Sequence, residues 1–274
     1  MSRSMWSGSI SFGLVNVPVK LYSAVAKKDI HFHQLHDLDG VRLQLKHVCP
    51  ADGREVPFEN IVKGYEISRD RYVVVTPEEL EALDPKAGRT IDIQEFVDLN
   101  RIDPIYFEHS YYLVPGTGAA KAYALLLTAM KNKGKVAIAR VVIRNKQYLA
   151  AIRPMNQVLS MVTMLYADEV VPYEELEERP AADVKIDQRE LALAEQIVSS
   201  QAGEFDPRKY RDDYRERVVD LIERKAAGQE IAVQPVIEEP GAKVVDLMSA
   251  LEASLAAIKE KSGAKNGPDK KKSA

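Results

Sequence analysis

The segment Lys135–Arg144 places the strongest constraint on the fold, because two kinds of side chain alternate along it. Small and branched residues occupy every second position, and in an extended strand they share one face. The other face carries Arg140 and Arg144. A face of small and branched side chains suits the interior of a β-barrel, so this segment is predicted to be a barrel strand.

Several other short runs repeat the period of two. One runs from Trp6 to Tyr22 and is interpreted as one or two strands. The helices between the runs are few: a short one capped by Thr76, and a longer one over Ala119–Lys133. Many short strands with few helices favour a barrel or sandwich over alternating βα units. The further strands are predicted at Val41–Val48, Tyr72–Val75, Ile91–Leu99, Ser110–Val114, Tyr148–Ile152 and Val158–Tyr166.

The stretch His109–Ala167 has no aspartate or glutamate, although the whole chain has 41 acidic and 38 basic residues. Burial in a sheet would exclude lysine and arginine as well as acids, so the missing acids indicate a surface. Segregated positive charge in an otherwise acidic chain is typical of a surface for a polyanion such as nucleic acid. A charged face compensated by acids from elsewhere in the fold is the alternative. The basic residues of the stretch are Lys121, Lys131, Lys133, Lys135, Arg140, Arg144, Lys146 and Arg153.

After this stretch the chain becomes acidic and helical. Asp187 and Glu190 predict a capping box that opens a helix to about residue 202. Asp206-Pro207 predicts the cap of a second helix that ends at Ala227. Both helices have narrow apolar stripes and charged backs, which favours an arm that packs on another surface.

The last part of the chain predicts a linker over residues 229–242, an amphipathic helix over 243–260 and a disordered basic tail over 261–274. Because little chain remains for this helix to pack against, it is interpreted as a docking segment. Its apolar face comprises Val244, Leu247, Met248, Leu251 and Leu255. The tail contributes Lys265, Lys270, Lys271 and Lys272, which are candidates for auxiliary contacts to nucleic acid.

Motifs for catalysis or cofactor binding are weak. Cys49 is the single cysteine, so no intrachain disulfide forms and a reducing cytoplasm is expected. His31, His33 and His36 precede it, but Asp52 stands where a second cysteine would complete a metal-binding C-x-x-C, so no metal is predicted. No phosphate loop, nucleophile elbow or H-E-x-x-H pattern occurs, and no catalytic residue or cofactor is predicted. No signal peptide or membrane span is predicted either.

The opening Trp6-Ser-Gly-Ser-Ile-Ser-Phe-Gly-Leu-Val-Asn-Val-Pro-Val-Lys-Leu-Tyr closely resembles the start of bacterial Ku, the DNA-end-binding protein family of non-homologous end joining. Further matching signatures are Phe32-His-Gln, Ser110-Tyr-Tyr-Leu, Arg144-Asn-Lys and Phe205-Asp-Pro-Arg-Lys-Tyr. The resemblance extends from about Arg3 to Ala257 and therefore covers nearly the whole chain.

This resemblance implies an α+β fold: a β-barrel core with a bridge insertion, followed by a helical C-terminal arm and a flexible basic tail. The core is expected at residues 1–186, with the bridge at about 31–95, and the dimerisation arm at 187–228. Two copies would form a ring that threads onto a double-stranded DNA end without using its sequence. The helix at 243–260 would recruit and stimulate the multidomain ATP-dependent DNA ligase D. A cytoplasmic, nucleoid-associated and non-enzymatic protein is expected.

The ring geometry predicts that basic residues of the bore contact phosphates and sugars. The candidates in the core are Lys121, Lys135, Arg140, Arg144 and Lys146, and those in the bridge are Arg42, Lys46, Lys63, Arg69 and Arg71. Two alternatives remain from the residues alone. One is a magnesium-dependent nucleic-acid enzyme with an acid cluster in the acidic part of the chain. The other is a non-catalytic scaffold whose basic zone binds an acidic protein.

Overall fold

The computed structural model describes residues 3–83, 89–143, 146–179, 184–228 and 246–265, of which 81–83 and 260–265 are described by their backbone alone. The chain divides into two compact units, Met1–Glu175 and Leu176–Ala274. The strands are β1 (Trp6–Phe12), β2 (Val15–Ser23), β3 (Lys63–Ser68), β4 (Arg71–Val75), β5 (Thr90–Asp98), β6 (Phe107–Pro115), β7 (Lys135–Ile143), β8 (Lys146–Met155) and β9 (Val158–Met164). The α-helices are α1 (Pro77–Leu83), α2 (Ala120–Lys133), α3 (Gln188–Gln201), α4 (Asp213–Ala226) and α5 (Leu247–Lys265).

Seven strands of the first unit close into a barrel in the order β1-β2-β6-β9-β8-β7-β5. All neighbours are antiparallel except β1 and β5, which pair in parallel and close the barrel. The predicted barrel, and with it the α+β fold class, is confirmed. The β1–β2 hairpin accounts for the opening alternation, and Gly13 takes a φ of +60° in its turn, a conformation that glycine adopts without strain.

The alternation predicted for β7 is also confirmed. Ala137, Ala139, Val141 and Ile143 are all buried in the main core, at 0%, 0%, 1% and 8% exposure. Arg140, on the other face, is exposed. The interior residues are small because strands from opposite sides of a seven-stranded barrel leave little room between them.

Helix α2 packs on the barrel through Tyr123, Leu126 and Met130, which belong to the same core cluster. The Tyr123 hydroxyl donates a hydrogen bond to the carbonyl of Leu113 at 2.5 Å and accepts one from the amide of Leu159 at 2.7 Å. This phenol therefore ties the helix to β6 and β9 with both of its polar functions satisfied. Burial raises the pKa of the Tyr123 phenol, and the hydrogen bond from Leu159 opposes that rise.

Residues 24–89, between β2 and β5, leave the barrel and are called the insertion below. The insertion contains the two-stranded sheet β3–β4 and helix α1. The predicted cap of α1 is confirmed: the Glu79 amide donates to Thr76 Oγ1, and the Thr76 amide donates to the Glu79 carboxylate. The predicted end of the insertion is too late, because residues 90–95 belong to barrel strand β5.

The predicted strand Val41–Val48 is wrong. Isolated bridges, Leu35 to Arg42 and Val48 to Glu55, close two tight turns instead. Gly40 and Gly53 take positive φ in these turns, and each donates its amide to the carbonyl four residues earlier. The alternation between the turns therefore has no neighbouring strand to pair with in the described residues.

The second unit contains α3, α4 and α5. Asp187 caps α3 as predicted, but its carboxylate accepts from the amide of Arg189 rather than that of Glu190. The predicted cap of the next helix is wrong: Asp206 caps only a 3-10 turn, and α4 is capped by Asp212. Asp206 is instead engaged by the Arg208 guanidinium, whose hydrogen bonds hold the pKa of that carboxyl below its usual range.

Helix α5 packs against α3, and Leu255 is buried at 8% exposure. The prediction that this helix has nothing in the chain to pack against is therefore wrong. The packing closes the face that was predicted to dock a partner at Leu255, while Leu247 at the start of the helix is 57% exposed. The predicted linker at 229–242 and most of the basic tail lie outside the described residues.

Candidate nucleic-acid interface

The basic side chains of β7 face acids from the neighbouring strand. Lys135 Nζ lies 2.7 Å from Asp98 Oδ1, and both are only partly exposed. Arg140 lies directly opposite Asp92 in the β5–β7 register, although no ion pair joins them. The acid-free stretch is therefore partly compensated by β5, which supports the alternative weighed from the sequence for this part of the surface. Arg144, the next predicted residue on that face, lies outside the described residues.

Lys146, at the start of β8, has a carboxylate near it as well. Its Nζ lies 3.9 Å from Glu169 Oε1 and 5.1 Å from the centroid of the Tyr148 ring. Glu169 is itself held by the backbone amide of Tyr166, which donates a hydrogen bond to its other carboxylate oxygen at 2.8 Å. The ammonium thus sits between an aromatic face and an anchored acid, a position that stabilises its charge but leaves it less available to an external phosphate.

Lys121 is exposed in the first turn of α2, and no ion pair forms there within the described part of the chain. The positive end of the helix dipole lies in the same turn. Lys121 and the positive end of the helix dipole therefore lie together, with no acid in the first turn of α2 and no side-chain cap.

The candidates in the insertion divide in the same way. Lys46 Nζ lies 2.6 Å from Glu55 Oε2, and Arg69 Nε lies 4.0 Å from Asp70 Oδ2. In contrast, Arg42, Lys63 and Arg71 form no ion pair with any described residue. Lys63 and Arg71 belong to the β3–β4 sheet, where they extend from neighbouring strands. The sheet therefore presents two cations that are free to meet an anion.

The insertion as a whole is not a basic surface. It contains ten Lys and Arg residues against twelve Asp and Glu residues. Its ability to bind a polyanion must therefore depend on where individual cations stand, and not on net charge.

Exposed apolar surface is the second feature of the insertion. No described side chain between Tyr22 and Thr90 is buried. Leu38 is 85% exposed, Leu45 is 91% exposed and Phe58 is 86% exposed, and both faces of the β3–β4 sheet lie open. A two-stranded sheet is marginally stable by itself in water, so this surface is typical of a segment that another molecule covers.

The histidines and the cysteine of the insertion do not gather. His36 Nδ1 lies 3.0 Å from Asp39 Oδ1, and Asp52 accepts a hydrogen bond from the amide of Arg54. No group of three or more His, Cys, Asp or Glu side chains suited to a metal ion occurs in the described residues. Each of these acids thus serves its own turn.

Arg153, a basic residue of the acid-free stretch, was not among the predicted DNA contacts. It lies partly buried in β8 and lines an apolar cavity of about 560 Å³ on the outside of the barrel, together with Ile102 and Phe107. It forms no ion pair in the described part of the chain. The residues that follow Arg153 in the sequence, Pro154 and Met155, are both apolar. Because polar and apolar residues do not alternate here, the sequence does not indicate which face of β8 Arg153 occupies.

The predicted docking and tail residues are only partly described. Leu247, Met248, Leu251 and Leu255 lie in α5, whereas Val244 lies outside the described residues. Lys265 is the last residue of α5, and Lys270, Lys271 and Lys272 lie outside the described part. No described helix is long and apolar enough to span a membrane.

Comparison with known proteins agrees with this architecture. The family model for Ku, the Ku70/Ku80 beta-barrel domain, matches residues 11–193. The chain is 52% identical over 269 residues to the non-homologous end joining protein Ku of Anaeromyxobacter sp. (strain K), covering 98% of this chain and 90% of that protein. The protein of the same name from Heliobacterium modesticaldum is 42% identical over 270 residues, with 98% and 97% covered. That from Archaeoglobus fulgidus is 40% identical over 257 residues, with 94% and 100% covered. The chain belongs to the Ku family.

Proposed function

We propose that this chain forms a homodimeric ring that binds double-stranded DNA ends without regard to sequence and acts in non-homologous end joining. Membership of the Ku family and the names of the relatives support the pathway. The observation that carries the ring is the insertion, which leaves the barrel and buries no described side chain. Exposed apolar surface such as that of the insertion needs a covering surface. The insertion of a second copy would supply the other half of an arch.

Helix α4 offers a second surface for the dimer. It has no buried residue, and one of its faces carries Val218, Leu221 and Ile222, of which Leu221 is 39% and Ile222 is 41% exposed. In a two-fold dimer each such surface occurs twice, so a stripe of moderate width can contribute to a substantial interface. This supports the assignment of the α3–α4 region as the dimerisation arm.

The DNA contacts in this proposal go to phosphates and sugars, because an end-binding protein must ignore base sequence. Cations that form no ion pair with a described residue should contribute most: Arg42, Lys63, Arg71, Lys121 and Arg140. Lys46, Arg69, Lys135 and Lys146 would have to exchange a carboxylate for a phosphate, which lowers the net gain. Arg144 and the lysines of the tail complete the proposed set.

Recruitment and stimulation of DNA ligase D are assigned to the C-terminal unit. Because α5 packs on α3, we propose that the ligase meets the packed pair at the exposed start of α5, near Leu247, rather than at Leu255. Leu247→Asp should then abolish stimulation of the ligase while end binding is retained. Glu252→Ala, in the same helix and exposed, is the matched control. Unchanged stimulation by the Leu247 variant would move the docking site elsewhere.

A gel shift tests the central part of the proposal. The protein should bind a linear duplex and bind the same sequence poorly as a closed circle, since a closed ring can load only where the duplex ends. Equal affinity for circle and linear duplex would contradict the ring. Magnesium-dependent cleavage of either substrate would replace the proposal with a nucleic-acid enzyme, and binding only to an acidic protein would replace it with a scaffold.

A further inference from the structure

The first unit carries an apolar groove at the C-terminal end of α2, and of its lining residues only Lys135 is also a proposed DNA contact. Its volume is about 320 Å³. Phe12 of β1 and Phe96 of β5 form one side, and Leu126 and Met130 of α2 form the other. Lys133 and Lys135 also line the groove. Its lining is thus apolar except for two lysines.

The two phenylalanines are more exposed than barrel packing requires. Phe12 is 38% exposed and Phe96 is 41% exposed, and their rings meet edge to face with centroids 6.3 Å apart. The apolar surface continues into the β1–β2 turn, where Leu14 is fully exposed and Val15, which pairs with Phe12, is 44% exposed. Contiguous exposed apolar surface on an otherwise well-buried barrel is typical of an interaction site.

The charged residues that line the groove are Lys133 and Lys135, with no aspartate or glutamate among the lining residues. Lys135 is held by Asp98, whereas Lys133 forms no ion pair in the described part of the chain. The C-terminal dipole of α2 offsets only about half a unit charge. Lys133 therefore favours the binding of an anionic group beside an apolar one in the groove.

We propose that this groove binds an acidic segment of a partner protein, which inserts a large apolar side chain between the phenylalanines and α2 and places a carboxylate on Lys133. This inference goes beyond the end-binding proposal and does not depend on it. A groove of this size accepts one or two side chains, whereas a second copy of a folded chain needs about 800 Å² on each partner. An edge-to-face ring pair also offers no parallel platform on which nucleic-acid bases could stack.

Selection of phage-displayed random short peptides on the full-length protein tests this proposal without a known partner. Enriched peptides should share a large apolar residue beside Asp or Glu. Their affinity, measured as synthetic fluorescent peptides by polarisation, should fall about tenfold or more on Phe96→Ser and on Lys133→Glu, as expected for an anchor and its charge partner. Lys133→Gln should give a smaller loss. Leu125→Ser is the matched control, because Leu125 is 70% exposed on the same helix and does not line the groove.

Four results would overturn the proposal. The first is a selection that yields no peptide sensitive to the groove variants, and the second is enrichment of basic peptides. The third is groove-dependent binding of a fluorescent oligothymidylate in place of peptide. The fourth is a change of oligomeric state on Phe96→Ser, which would identify a second copy as the occupant. Circular dichroism and the gel shift on linear duplex, both expected to be unchanged in Lys133→Glu, separate loss of the groove from loss of folding or of end binding. A failed end-binding assay in the unaltered protein would refute the ring and leave the peptide result standing.

Discussion

The barrel and the insertion are built from similar residues but stabilised in opposite ways. In the barrel, residues such as Ile10, Leu21 and Leu113 are completely buried, and the polar groups of Tyr123 are paired. In the insertion, leucines and phenylalanines of comparable size lie open to solvent, and no described side chain is buried. The barrel can therefore fold as an independent core, whereas in the proposed ring the insertion would gain its burial from a second copy.

The largest expected effect is on the free energy of unfolding, when leucine is replaced by alanine in the barrel and in the insertion. Leu113→Ala should lower the free energy of unfolding by about 3 kcal/mol, because it leaves a cavity in the closed core. Leu45→Ala, at a site 91% exposed, should change the unfolding of the single chain by about 0.5 kcal/mol or less. Urea denaturation followed by circular dichroism measures both.

The Leu45 variant sharpens the comparison further when protein concentration is varied. If the insertion is covered in a dimer, Leu45→Ala should weaken self-association in analytical ultracentrifugation while leaving the dilute chain unaffected. A loss of stability in the dilute chain as large as that of Leu113→Ala would contradict the contrast between the two regions.

Tyr123→Phe tests whether the barrel core depends on the buried hydroxyl that bridges α2 and the sheet. The change leaves the Leu159 amide without its acceptor and should cost about 2 kcal/mol. Because burial raises the pKa of the Tyr123 phenol, the stability linked to its protonated form is complete below pH 10 and is lost as the pH rises through the higher folded-state pKa. The difference between the two proteins in thermal unfolding should therefore narrow at alkaline pH. A difference in thermal unfolding that stays the same at alkaline pH would show that ionisation of the Tyr123 phenol is not linked to unfolding.

In the second unit, α5 offers the same comparison on a smaller scale. Leu255→Ala should destabilise the α3–α5 packing by about 2 kcal/mol, whereas Leu247→Ala should have an effect below about 0.5 kcal/mol. Hydrogen exchange of the α5 amides reads this directly, because loss of packing speeds their exchange. Equal exchange in the two variants would contradict the packed position of Leu255.

The smallest effect concerns charges with and without a neighbouring acid. Lys63→Gln should reduce the slope of log K against log salt by about one unit for linear duplex, since it removes one phosphate contact. Lys46→Gln is the matched control, because Lys46 already pairs with Glu55, and its slope should change less. The reverse order would show that ion pairs in the free chain do not predict DNA contacts.

Much of the barrel was predictable from the sequence. The alternation in β7 identified both of its faces, and Gly134 marked the end of α2. Both signals are local, because hydrophobic periodicity and helix-terminating residues act within a few positions of the sequence. Arg140 was correctly placed on an exposed face. These features depend on a few neighbouring residues and therefore survive without knowledge of the rest of the fold.

The sequence failed where the outcome depends on distant partners. Val41–Val48 alternates but finds no neighbouring strand in the described residues, so its bonds go to two turns instead. Leu255 was predicted to be available to a partner, because the sequence does not show that α5 packs against α3. The acids that compensate Lys135 and Lys146 come from other elements, which an acid-free stretch of sequence conceals.

The most direct test of the account is a topological one. The protein is loaded on a linear duplex, the ends are joined to make a circle, and the complex is challenged with high salt. A ring closed by two insertions predicts that the protein stays on the circle and leaves when the circle is cut. Rapid release from the intact circle would show that the insertion does not close around DNA, and would contradict the account.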